Sequence, residues 1–226
     1  MGEQHTREPQ YQHGVDLYKR QAPFVLPLVA NQVWHDDPRR LLFFLSRYKF
    51  VSKMFSGMNR VLEIGCGDGF GGRVVLQEVS HLTAVDFDPL FVEDAKAHID
   101  PRWPFECFVH DMLEGPVPGS FDGVYALDVI EHIPVEHERR FIGNAVASLA
   151  EHGTMILGSP SLESVAYASP QSKAGHVNCK SGPMLKKLLR DFFHLVFVFS
   201  MNDEVVHTGF HPMAHYLLAL CCDKIR

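Results

Sequence analysis

Hydrophobic and polar positions change period along this chain, and the changes divide it. Leu41, Phe44, Leu45, Tyr48, Val51 and Phe55 recur at helical spacing, which predicts an amphipathic helix entered through Asp36-Asp37-Pro38 and ended near Gly57. From residue 60 onward, short apolar runs alternate with amphipathic stretches. The runs predict strands at 60–64, 82–86, 105–109, 121–127 and 154–158. The stretches predict helices at 71–78, 89–99 and 134–151, the last with Pro134 in its first turn and Gly153 just past its end. A helix over 183–191 capped by Ser181, and two strands near 195–200 and 215–220, complete the pattern. Successive strand–helix units predict an α/β fold built on a mostly parallel, doubly wound sheet. Residues 1–20 are polar and are expected to begin loose.

Composition adds bounds. A chain of 226 residues, 46% of them apolar, suits one core domain (58–226) carrying an N-terminal helical extension or lid (1–57). The extension holds eight Lys/Arg against five Asp/Glu, so its balance is +3 and the remainder carries −9 of the net −6. That net charge argues against non-specific nucleic-acid binding, which is driven by phosphate neutralisation. The apolar run over 22–33 is short and broken by Pro23 and Pro27, so it is not expected to span a membrane. Cys66, Cys107, Cys179, Cys221 and Cys222 show no C-x-x-C spacing; the odd count and the lack of a signal-peptide pattern predict a reduced, cytoplasmic protein. Oligomeric state is not legible.

The first strand ends in Glu63-Ile64-Gly65-Cys66-Gly67-Asp68-Gly69-Phe70. Glycines at a strand-to-helix turn let a ligand approach the backbone, at the strand end where open α/β sheets bind nucleotides. Gly67-x-Gly69-x-x-Gly72 matches a nicotinamide fingerprint, a weak signal alone. An acid two residues before Gly-x-Gly-x-Gly fits without a shift of register: Glu63, then Gly65, Gly67 and Gly69. In this segment the chain resembles the class I S-adenosylmethionine-dependent methyltransferases. The charge agrees with that resemblance, because this cofactor carries a sulfonium and an ammonium and no phosphate. A pyrophosphate would be repelled by Glu63 and Asp68. Cys66 is expected to pack at the turn within the cofactor-binding set. The resemblance implies a Rossmann-like sheet of seven strands, the last antiparallel.

Further residues follow in the family's order. Asp86 ends the second strand, nineteen residues after Gly67, where an acid accepts from both ribose hydroxyls. Phe87 packs either on the adenine or in the core. Asp111, followed by Met112, implies by resemblance an acceptor for the adenine amino group with an apolar neighbour; a surface turn is the alternative. The segment ending in Leu127-Asp128 resembles the family's fourth strand, whose end lies under the sulfonium.

Asp128-Val129-Ile130-Glu131-His132 carries the candidate acceptor chemistry. Positions i, i+3 and i+4 share a face if the chain turns helically, gathering two carboxylates and an imidazole. The segment resembles ubiquinone-pathway O-methyltransferases, which use acid-x-x-Glu-His for magnesium, and small-RNA 2′-O-methyltransferases, which add a later histidine. By that resemblance Asp128, Glu131, His132 and His176 are candidate Mg2+ ligands, and Asp128 departs from the usual Glu. A pocket-shaping Glu-His pair without metal is the alternative, with His132 or His176 as general base. His207, His211 and His215 have helical spacing, but Gly209 and Pro212 interrupt it, which places them in loops at the acceptor mouth. Ser159 lacks a nucleophile elbow and reads as a turn residue. The expected function is transfer of a methyl group from S-adenosylmethionine to an oxygen of a small hydroxylated molecule. RNA 2′-hydroxyl transfer, a non-catalytic cofactor-binding module and a nicotinamide oxidoreductase are the alternatives.

Overall fold

The computed structural model describes residues 5–21 and 23–225. Residues 1–4 of the expected loose start, and residue 22 of the apolar run, lie outside that set. Three helices precede the sheet: α1 (Gln12–Arg20), α2 (Leu28–Asp36) and α3 (Pro38–Met54). Asp37 caps α3 by accepting from the Arg39 N–H, and Pro38 at the first helical position needs no donor. Gly57, at φ 85°, turns the chain toward the sheet.

The sheet follows, with crossover helices: β1 (Arg60–Ile64), α4 (Gly72–Val75), β2 (His81–Asp86), α5 (Pro89–Ala97), β3 (Glu106–Val109), β4 (Phe121–Leu127), α6 (Val135–Ala147) and β5 (Leu149–Pro160). Then come α7 (Pro170–Gly175), α8 (Gly182–Leu189), β6 (Phe193–Asn202), β7 (Val205–His207) and β8 (Tyr216–Lys224). The strand order is β3-β2-β1-β4-β5-β8-β6-β7. β1 pairs in parallel with both β2 and β4, so the order reverses there and opens a crevice at the carboxyl ends of these strands. β8 runs antiparallel to both β5 and β6, as the resemblance implies for the last strand. The strand count is eight rather than seven: β7 is a three-residue hairpin return along the outer edge of β6.

Two expected helices are shorter. The 71–78 stretch keeps only α4, because Glu78 is drawn outward to Lys53 and Ser56. The 134–151 stretch stops at Ala147, and β5 begins five residues before the expected 154, its Leu149 pairing with Phe121.

Alternation along the strands builds two cores. Leu62, Ile64, Val124 and Ala126 face Ile142 of α6 and Leu185 of α8. Val61 and Tyr125 face Tyr48, Val51 and Phe55 of α3. α3 of the N-terminal extension thus packs against one side of the sheet.

Candidate active site

The turn after β1 is built on left-handed glycines. Gly65, Gly67 and Gly69 have φ of 73°, 53° and 69°, a region that side chains with a Cβ disfavour. A Cβ on Gly65 would also stand 2.3 Å from Val129 Cγ2. Beside this turn lies a cavity of about 670 Å3. Its wall contains Gly65, Cys66, Gly67, Asp86, Phe87, Asp111, Met112, Asp128 and His132, all anticipated from sequence.

Asp86 is tied to the turn. One carboxylate oxygen accepts from the Gly67 N–H at 2.9 Å and the other from the Asp88 N–H at 3.0 Å. Each oxygen keeps a lone pair for a ligand hydroxyl. Phe87 is 72% exposed, which removes the core-aromatic alternative and leaves its ring free at the wall. Asp111 does sit in a turn, with one carboxylate oxygen accepting from the Leu113 N–H at 2.7 Å, and it borders the cavity.

Glu63 and Gly69 do not line this cavity. Strand alternation puts Glu63 on the α3 face, where one oxygen accepts from Tyr48 Oη at 2.8 Å and the other has no hydrogen-bond partner. Burial pushes its carboxyl up to about 7. Gly69 turns toward Phe105 and Ala95.

On the opposite side of the cavity, Asp128 takes a left-handed conformation at φ 57°. Its carboxylate accepts from Arg47 Nη1 at 2.5 Å, and the Arg47 guanidinium lies 3.8 Å over the Tyr216 ring. Asp128 is thus committed to Arg47. Among the described residues, the cluster with cation-ligand spacing is Glu131, His132 and His176, whose donor atoms fall within 4.8 Å of one another. Asp128, the fourth residue of the expected set, lies outside that cluster.

The chain does turn helically at Ile130–His132, as a 3-10 turn. Glu131 is buried, and neither carboxylate oxygen has a hydrogen-bond partner. Burial first, then Asp128, pushes its carboxyl well above the usual range. His132 Nδ1 faces the Gly175 carbonyl at 2.9 Å, so Nδ1 carries the proton and Nε2 is left as acceptor or ligand. The His132 and His176 rings cross at 5.0 Å between centroids. Burial, and then His132, holds the His176 imidazole below its ordinary value, favouring the neutral form. The segment bearing His176 is pinned to the turn: the Val177 and Asn178 N–H groups both donate to the Glu131 carbonyl. Lys180, buried between Asn178 Oδ1 and Glu138 Oε2, braces the same segment.

His207, His211 and His215 do not form a helical stripe. They bond locally: His211 to Ser200, His207 to Asn202, and His215 to the Asp203 N–H. Ser159 lies within β5, paired with Leu217, rather than in a turn as expected, and its Oγ donates to the adjacent Pro160 carbonyl. Arg47, Tyr48 and Asp68 were not anticipated as site residues. The only sequence signal for Arg47 was a charge flanking the apolar stripe of α3.

Residues 61–153 match the sequence family described as a methyltransferase domain. The mitochondrial ubiquinone biosynthesis O-methyltransferase of Schizosaccharomyces pombe is 30% identical over 161 residues, covering 66% of this chain and 58% of that protein. A ubiquinone biosynthesis O-methyltransferase of Xanthomonas campestris is 30% identical over 148 residues, 62% of this chain and 61% of its own length. The chain thus spans about three fifths of the curated relatives it matches. Among solved structures, a DhpI–SAH complex superposes with a TM-score of 0.65 at 16% identity, over 87% of this chain and 92% of that one. The methyltransferase domain of a bacterial Hen1 gives 0.65 at 15% identity, over 80% and 97%.

Proposed function

Starting from a chain that belongs to the class I S-adenosylmethionine-dependent methyltransferases, we propose that it moves the cofactor's methyl group to an oxygen of a small hydroxylated molecule. The observation that carries the oxygen assignment is Glu131, a buried carboxyl without hydrogen-bond partners, set beside two imidazoles, of which His132 lines the cavity. The O-methyltransferase names of the relatives support it.

In this reading Asp86 receives both ribose hydroxyls, one on each carboxylate oxygen. Phe87 covers the adenine, and Asp111 with Met112 meets its far edge. Asp128, held by Arg47 behind it, lines the cavity and meets the cofactor's ammonium. The acceptor oxygen attacks the methyl carbon in line as the carbon–sulfur bond breaks. The bonding pair returns to sulfur, leaving a neutral thioether, and the acceptor proton passes to an imidazole nitrogen of His132 or His176. Since the sulfonium is already activated, proximity and orientation supply most of the acceleration.

Glu131, His132 and His176 also fit a divalent cation, because Glu131 has two free oxygens and His132 is oriented through Nδ1 as a ligating histidine is. Two imidazoles with one carboxylate suit Mn2+ or Zn2+ better than Mg2+, which favours oxygen ligands. A cation bound there lowers the pKa of a coordinated hydroxyl.

The second reading is a terminal ribose 2′-hydroxyl of RNA. It is favoured by His176, which joins the cluster from a later loop, and disfavoured by the net charge of −6. Methyl-labelled S-adenosylmethionine, incubated with the protein and a cell extract with Mn2+ or Mg2+, separates the outcomes. Label in small molecules is expected; label in RNA promotes the second reading; no transfer despite bound cofactor indicates a non-catalytic module. Glu131→Gln combined with His132→Ala should lower turnover on the order of 100-fold or more while leaving S-adenosylhomocysteine binding intact. Full activity in that variant would overturn the acceptor-site assignment.

A further inference from the structure

Cys66 and Cys107 come together although they belong to non-adjacent strands. Cys66 follows β1, Cys107 lies in β3, and β2 runs between them. Their sulfurs are 3.9 Å apart, and both residues are buried free thiols. The buried side chains around them are Ala84, Val92 and Ala95, with Phe105 packed against the group. A disulfide needs about 2.0 Å between sulfurs, a closure that side-chain rotation and a small shift of the turn can supply.

Cys66 is also a hinge point of the glycine turn. Its N–H donates to the Val85 carbonyl, and its own carbonyl accepts from the Gly69 N–H. It lines the cavity, whereas Cys107 does not. We propose that Cys66 and Cys107 form an intramolecular disulfide site, oxidised by a hydroperoxide reaching Cys66 through the cavity it lines, and that the bond distorts the cofactor turn. The chemistry balances. One thiol takes an oxygen from hydrogen peroxide as a sulfenic acid, releasing water, and the other sulfur displaces that hydroxyl as a second water. The two sulfurs supply the two electrons that reduce the peroxide.

The predicted loss of affinity and the shielding rest on the cofactor reading; the crosslink itself does not. The test treats the full chain with hydrogen peroxide, with and without S-adenosylhomocysteine, followed by non-reducing peptide mass mapping and calorimetric titration of S-adenosylhomocysteine. A Cys66–Cys107 peptide is expected, with S-adenosylhomocysteine slowing its formation. Affinity should fall about tenfold or more, equivalent to about 1.4 kcal/mol, and return with dithiothreitol. Cys107→Ser should remove both the crosslink and the sensitivity. The proposal is overturned if peroxide oxidises Cys179 while Cys66 and Cys107 stay free thiols, or if the crosslinked protein binds as tightly as the reduced one. Failure of the reduced protein to bind S-adenosylhomocysteine overturns the cofactor reading instead, and the mass map still decides the crosslink.

Discussion

At the scale of single residues, Glu63 shows how position inverts an expected role. Its burial against Tyr48 lifts its carboxyl from 4.5 to about 7. The folded protein therefore holds a proton that the unfolded chain releases between those values. By linkage, stability falls as pH rises from about 4.5 to about 7, by an amount on the order of 3 kcal/mol. Glu63→Gln, which keeps an acceptor for Tyr48, should flatten that part of the profile; thermal melts of both proteins at pH 5 and pH 8 would show it. An unchanged difference between the two pH values would mean that Glu63 titrates normally. Asp86 accepts from the Gly67 and Asp88 N–H groups, and in the proposed reading the same carboxylate receives the ligand. Asp86→Ala should weaken S-adenosylhomocysteine binding on the order of 100-fold, two hydrogen bonds to a charged group being worth about 3 kcal/mol or more. Calorimetry giving the wild-type affinity would remove Asp86 from the cofactor site.

At the scale of elements, α2 is capped by residues distant in sequence. Pro27, at its N-cap, supplies no side-chain bond. Instead the Leu28 N–H donates to Asp94 and the Ala30 N–H to Asp68, which lies in the glycine turn. The cofactor turn thereby holds the extension in place, and the Asp68 role could not be read from local spacing because its partner is 38 residues away. Asp68→Ala should raise amide exchange across α2 while the β1 amides stay protected, the lost cap costing about 1 kcal/mol. Equal protection of α2 in both proteins would show the cap to be dispensable. Local signals set other boundaries well: Asp37-Pro38 begins α3 and Asp88-Pro89 begins α5, each with the Asp side chain bonded to a first-turn N–H. Local signals failed for 134–151, where pairing of Leu149 with Phe121 drew the chain into β5.

At the scale of the whole molecule, the extension and the sheet share a core. Val51 and Phe55 of α3 are fully buried with Val61, Val75 and Leu218. Removing residues 1–57 should therefore leave a chain without a cooperative melt, whereas removing 1–21, where α1 buries no residue, should preserve it. A cooperative transition in the 58–226 fragment, followed by circular dichroism, would restore a separable two-part organisation. The sequence by itself determined the alternation of strands and helices, the glycine turn and the order of the residues that border the cavity beside it. Those depend on periodicity, φ preference and short spacing, which are local properties. Only the tertiary structure decided which groups meet. It directed Glu63 to α3, tied Asp128 to Arg47 across 81 residues and brought His176 to Glu131 and His132. Such contacts follow from how sheet faces and loops pack, and a chain's spacing does not encode which distant side chain will compete for a carboxylate.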